Sequence, residues 1–146
     1  AAGGAVVEPL WPENTAPSAG IDANETSMVF RLRHGQAAVL FTGDLGSESE
    51  QRLLARGVPL RSTLLKVGHH GSRYGSGDQF LSSVSPRAAV ISAGYHNPFH
   101  LPAPSTLARL RKHGVRVYRT DLDGTVEAVC DRDGSLLIST PWGHFN

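Results

Sequence analysis

Three short segments carry side chains that a folded core has little use for. In Phe41-Thr42-Gly43-Asp44-Leu45-Gly46 an aspartate ends an apolar run, just ahead of a helix signature. In Lys66-Val67-Gly68-His69-His70-Gly71-Ser72 two adjacent histidines are bracketed by glycines. The stretch Tyr95-His96-Asn97-Pro98-Phe99-His100-Leu101-Pro102 sets two more histidines in a proline-stiffened loop. Carboxylate and neutral imidazole are donors that Zn²⁺ or Mn²⁺ accepts, and glycines let the backbone approach a ligand closely. Such an ion activates water and neutralises charge on a phosphoryl or acyl centre. Neighbouring side chains on extended backbone point opposite ways, so one of His69 and His70 is expected to face the ion while the other orients it. His96 or His100 would supply a further donor. Taken singly, each segment also has a plainer reading: Asp44 as a helix-entry residue, and the histidines as solvated loop residues. His34 and His144 read as surface positions, and His113 beside Gly114 suits a helix C-terminus.

The elements that must position these segments follow from pattern. Met28 to Arg33 alternates apolar and polar residues, His34-Gly35-Gln36 turns, and Ala37 to Phe41 is a buried strand, which together predict a hairpin. Ser47 followed by Glu50 is a capping-box signature opening a helix that stops at Gly57. Strands are expected over Thr63 to Val67 and Ala88 to Ala93, with a short helix from Asp78 to Val84 between them. Ser105 is expected to cap a helix ending at Gly114. Three strands then follow: Val115 to Arg119, Thr125 to Cys130 and Leu136 to Ser139, with turns at Asp121 to Gly124 and Asp131 to Gly134. Residues 1–23 are loop-rich and read as a short strand at the apolar run Ala5 to Val7 followed by a long loop, and 24–146 form the domain. The class is α/β, with a mixed sheet that ends in antiparallel strands. In such folds the loops at one end of the strands converge on a site.

Composition bounds the rest. A chain of 146 residues, 40% of them hydrophobic, fits one domain that can bury roughly 70% of its unfolded surface. The lone Cys130 excludes a disulfide framework, a thiolate zinc ribbon and a Cys-x-x-Cys redox pair. No apolar run approaches the ~20 residues of a spanning helix. Of 14 basic residues only Lys66 and Lys112 are lysine, while the formal net charge is +1. That balance excludes nucleic-acid binding driven by bulk charge, though not by a local strip.

In order along the chain, Asn24-Glu25-Thr26-Ser27, Thr42-Gly43-Asp44, Lys66 to Ser72, the Asn97 to Pro102 segment and Thr120-Asp121-Leu122-Asp123-Gly124 resemble the metallo-β-lactamase-like domain of the ComEC family. ComEC proteins form the DNA-uptake channel of natural competence. The resemblance runs from about Asn24 to Ile138. It implies an αββα sandwich, of which this chain is the C-terminal half. It also implies a divalent metal, Zn or Mn, with Asp44 bridging ions and His69 or His70 near the site. The metal candidates are then Asp44, His69, His70 and His100, with Asp44 and His69 at the reacting centre. The family places a histidine directly before the proline at 102. Here that position is Leu101, so His100 substitutes one residue early or the ligand is lost.

On this resemblance the chain is part of a metal-dependent phosphodiesterase or nuclease that degrades DNA during uptake. Lys66, Ser72 and Arg73 are candidate phosphate contacts, although Lys66 also suits a lysine snorkelling from an edge strand. The implied setting is a soluble domain of a bacterial inner-membrane protein, on its outer side. Expected partners are DNA, an N-terminal half with the His-x-x-Asp-x-Asp-His-like motif missing here, the membrane channel, and a second copy of this chain. The alternatives are another hydrolase of the superfamily, acting on a lactone, thioester or cyclic phosphodiester, or a degenerate domain that binds DNA or a partner without catalysis.

Overall fold

A computed structural model describes residues 4–12 and 23–145. Its larger sheet has six strands in sequential order, β1 (Val6–Trp11), β2 (Val29–His34), β3 (Ala37–Phe41), β4 (Leu64–Lys66), β5 (Ala88–Ile91) and β6 (Arg116–Arg119). The first two pairings are antiparallel and the remaining three parallel. Helices α1 (Ser47–Ala55), α2 (Asp78–Val84) and α3 (Pro104–Lys112) make the three crossovers. A second, antiparallel sheet holds β7 (Glu127–Cys130), β8 (Leu136–Thr140) and β9 (Gly143–Phe145).

Strand alternation divides the core in two. Leu40, Leu65, Ala89 and Ile91 face the helices, where Leu53 of α1, Phe80 and Leu81 of α2 and Leu110 of α3 cover them. Their neighbours Leu64, Ala88 and Tyr118 face the other way, onto Leu136 and Ile138 of β8. All three helices lie on one face, as crossovers of a single hand require for strands in sequential order. The result is a helix–sheet–sheet stack of mixed α/β class. Among the described residues no helix layer covers the outer face of the second sheet, where Val129 and Leu137 are exposed. No helix is long and apolar enough to cross a membrane, among the described residues.

Several sequence expectations are corrected. The short strand expected at Ala5 to Val7 is present but longer, Val6–Trp11, because Glu8 binds both Arg31 and Arg33 across the pair and stitches β1 to β2. The long loop expected after it falls on 13–22, outside the described residues, as does the side chain of His144. The Ser47–Glu50 capping box does not form, since neither side chain caps α1. Instead Glu25, from far upstream, accepts the Ser49 N–H through Oε2 at 2.7 Å. Helix α3 is capped by Ala103 rather than Ser105, with Pro104 at its first position, where a missing N–H costs nothing. Asp121 to Gly124 is not a hairpin turn: Thr120–Asp123 forms one helical turn, in which Asp123 Oδ2 accepts the Arg119 N–H. Strand β9 was not expected. Lys66 lies in β4, flanked by β3 and β5, so it does not snorkel from an edge.

Leu65 is fully buried at the centre of the larger sheet. Leu65→Ala is expected to lower unfolding free energy by roughly 2 to 5 kcal/mol through lost transfer energy and a residual cavity. Urea denaturation checks this against Leu122→Ala at an exposed position. Equal losses for the two variants would contradict the assignment of the core.

Candidate functional site

The three chemically marked loops all leave the C-terminal ends of parallel strands, and they meet. After β3, Thr42 is buried and its hydroxyl donates to the Lys66 carbonyl at 2.9 Å. The Asp44 N–H donates to Ser27 Oγ at 3.1 Å, which gives the Asn24–Ser27 segment its work of supporting the aspartate. After β4, the His69 N–H donates to the Gly43 carbonyl at 3.0 Å and ties the second loop to the first. After β5, the Ala103 N–H donates to the Gly71 carbonyl at 2.9 Å. Asn97 braces that third loop: its Oδ1 accepts the Leu101 N–H, while Nδ2 donates to the carbonyls of Gly94 and Leu101.

Between these loops lies a cleft of about 820 Å³, lined among others by Asp44, His69, His70, Ser72, Arg73 and His100. His69 and His70 are both on its lining. Both have left-handed backbone, with φ 45° and 52°, so the extended-chain alternation does not apply and both line the cleft. His100 is also left-handed and lines the cleft, as does Leu101. His96 is outside the lining, with its ring edge-on to Tyr95. Left-handed non-glycine residues are uncommon and collect at functional sites; four of the six in the described residues are histidines of these loops.

The geometry at the floor is specific. His70 Nδ1 lies 2.7 Å from the Ser92 carbonyl oxygen. A carbonyl only accepts, so Nδ1 carries the hydrogen, and in the neutral ring Nε2 is left with its lone pair. Nε2 stands 3.9 Å from Asp44 Oδ1, too far for a hydrogen bond. Two electron-pair donors thus face each other across a gap, with one of them oriented from behind by a backbone carbonyl. That donor chemistry fits a divalent cation. The number does not complete a set: among the described residues no three His, Cys, Asp or Glu side chains gather where one ion could be held. Lys66 is half-buried and turned inward; Nζ donates to the Val67 carbonyl at 3.0 Å. Burial lowers its pKa, opposed by the Asp44 charge.

Residues that the sequence reading passed over hold the wall of the cleft. Glu50 is buried, and its carboxyl oxygens accept the N–H groups of Ser76 and Gly77. Arg109 grips the same loop by its carbonyls, donating to Ser76, Gly75 and Arg73. The loop bearing Ser72 and Arg73 is thereby held from both its donor and its acceptor side. Glu50 had carried a signal, as one half of the capping box, but that signal pointed to the wrong partner.

Burial raises the Glu50 pKa to about 7, against the lowering effects of the two amides and Arg109, with Glu25 adding to the rise. The unfolded chain ionises this group near 4.5 while the folded one holds its proton, so stability falls as pH rises from there to about 7. The loss from this group amounts to about 3 kcal/mol. The depressed carboxyls Glu8, Asp78, Asp121 and Asp133 act below that window. Urea denaturation from pH 5 to 7.5 is expected to show the decline in the native chain and a flatter profile in Glu50→Gln. Parallel profiles would refute it.

Comparison with known proteins matches residues 13–96 to the metallo-beta-lactamase superfamily. The chain is 37% identical over 134 residues to ComE operon protein 3 of Bacillus subtilis, covering 91% of this chain and 17% of that protein. It is 43% identical over 115 residues to competence protein ComA of Neisseria gonorrhoeae, covering 78% and 17%. Recombination protein 2 of Haemophilus influenzae is 36% identical over 117 residues, covering 80% and 14%. The chain therefore spans about a sixth of the length of these relatives. With its helix–sheet–sheet stack and a cleft built where its Gly-Asp and His-His segments meet, the chain belongs to the metallo-β-lactamase superfamily, in the branch found in ComEC competence proteins.

Proposed function

We propose that this domain contributes part of a divalent-metal site to a phosphodiesterase that acts on DNA during its uptake. The observation that carries the reading is the facing pair of Asp44 Oδ1 and His70 Nε2, with His70 oriented by the Ser92 carbonyl. Asp44 and His70 would hold the ion, and His69 and His100 line the same cleft within reach of a reacting group. When bound, Zn²⁺ or Mn²⁺ activates water and offsets charge on phosphoryl oxygens. Arg73 is exposed and lines the cleft, which supports a phosphate contact, and the buried Ser72 lines the same cleft. Lys66 acts through its charge on Asp44, as a half-buried cation, rather than on substrate. The relatives' names support the DNA-uptake role, and their greater length supports further ligands, a membrane channel and a membrane setting outside this chain. A second copy of the chain is a further partner in this reading, covering the outer face of the smaller sheet.

Calorimetric titration with Mn²⁺ and Zn²⁺ tests the site, on this chain and on the full-length protein. Saturable binding is expected in the longer protein, and Asp44→Ala and His70→Ala should each weaken it by roughly 100-fold or more. DNA hydrolysis by the full-length protein should fall in parallel. Binding and hydrolysis that survive Asp44→Ala would overturn the proposal. Absence of both in the native full-length protein would favour a non-catalytic binding domain, consistent with a donor set that stops at two.

A further inference from the structure

The rim of the cleft is aromatic and exposed. Tyr74 and Phe99 line it from the loops after β4 and β5, with 65% and 78% of their surface open to solvent. Tyr95, on the same loop as Phe99, is 75% open. Large apolar rings left this bare are uncommon in a domain whose other described rings are mostly packed, and two on the lining of one cleft point to a ligand. The Arg73 guanidinium lies 5.3 Å from the Tyr74 ring centroid, so a fixed positive charge and an aromatic face are presented together.

This combination has a known recognition chemistry. Unpaired nucleobases stack on aromatic side chains whatever their sequence, while cationic groups take the intervening phosphates. A duplex offers no free base faces, because its bases are already stacked and paired. A protein partner would also cover the rings. Exposed aromatic rings beside a guanidinium and a hydroxyl on one cleft lining match a strand that alternates bases with phosphates more closely than they match an apolar protein face.

We propose that Tyr74 and Phe99 form a base-stacking platform that selects a single, unpaired DNA strand for this cleft. The proposal rests on the DNA reading above and adds the strandedness of the substrate and the residues that set it. Arg73 contributes affinity without reading bases, because it meets the backbone.

The test is fluorescence anisotropy of this chain at low salt in EDTA, so that a failed metal site leaves the result readable. The probes are a labelled oligothymidine, an abasic strand of equal length and charge, and a duplex. Oligothymidine should bind more tightly than either of the others. Tyr74→Ala and Phe99→Ala should each weaken it by about 5- to 150-fold, the range for loss of one base–aromatic stack. Neither should change abasic binding, and Tyr74→Phe should behave as the native chain. Arg73→Ala should weaken all three probes alike. Both aromatic positions are exposed, so unchanged thermal unfolding is expected and checks the fold. Equal affinity for abasic and oligothymidine strands, preference for duplex, or no measurable binding of oligothymidine would overturn the proposal. So would alanine variants that keep native DNA binding; if these also disrupted assembly of the full-length protein, the rim would be a protein interface.

Discussion

Gly71 is where the cleft is joined. Its backbone is left-handed, with φ +81°, and a Cβ there would come within 2.6 Å of Pro102 Cβ. Only glycine allows the loop after β4 to lie this close to the loop after β5 without displacing it. Two residues earlier, the His69 N–H reaches back to the Gly43 carbonyl in the loop after β3. One short turn thus holds three loops that leave adjacent parallel strands. The left-handed conformations of His69 and His70 accompany that anchoring, and both residues line the cleft. The facing of His70 and Asp44 depends on it.

Beneath the loops, buried polar groups do what apolar packing cannot. Hydrophobic contacts fix the sheet and helices but have no direction, and a loop of glycines and serines offers little to bury. Glu50 and Arg109 supply direction, one taking amides and the other carbonyls of the same segment. Glu25 acts likewise at α1, accepting the Ser49 N–H, and its backbone carbonyl accepts from the Ser49 hydroxyl and the Trp11 indole. A carboxyl kept out of water at Glu50 is costly when ionised. That cost falls on stability near neutral pH, while the benefit is a wall held in place at the mouth of the cleft.

The chemistry fits this division of labour. A rigid parallel sheet sets the spacing of strand ends, and the loops after them carry the reactive groups. Asp44 and His70 face each other in the cleft, and Arg73, Tyr74 and Phe99 are on its lining. The donor set of two accords with a domain that spans about a sixth of its relatives.

Elements with a repeating pattern were legible in the sequence. The Val29–His34 and Ala37–Phe41 hairpin, helix Asp78–Val84 and the apolar strands came out close to their observed bounds, because burial on a sheet or helix face imposes a period that local residues must obey. The Gly-Asp and His-His segments were legible as chemistry because charged and imidazole groups at strand ends have no packing role. Tertiary structure alone decided the rest. Ser47 and Glu50 have capping-box spacing, yet Glu25 caps the helix and Glu50 holds a different loop, since a competing partner across the fold is invisible to local spacing. Adjacent histidines diverge on an extended chain, but here the backbone is left-handed where the His69 N–H is tied to the distant Gly43 carbonyl, and both histidines line the cleft. Which of His96 and His100 reaches the cleft, and which aromatic rings stay bare around it, likewise depend on how loops far apart in sequence pack together. Periodicity is a local constraint that a sequence must display; convergence is a relation between distant segments, and it exists only once the chain is folded.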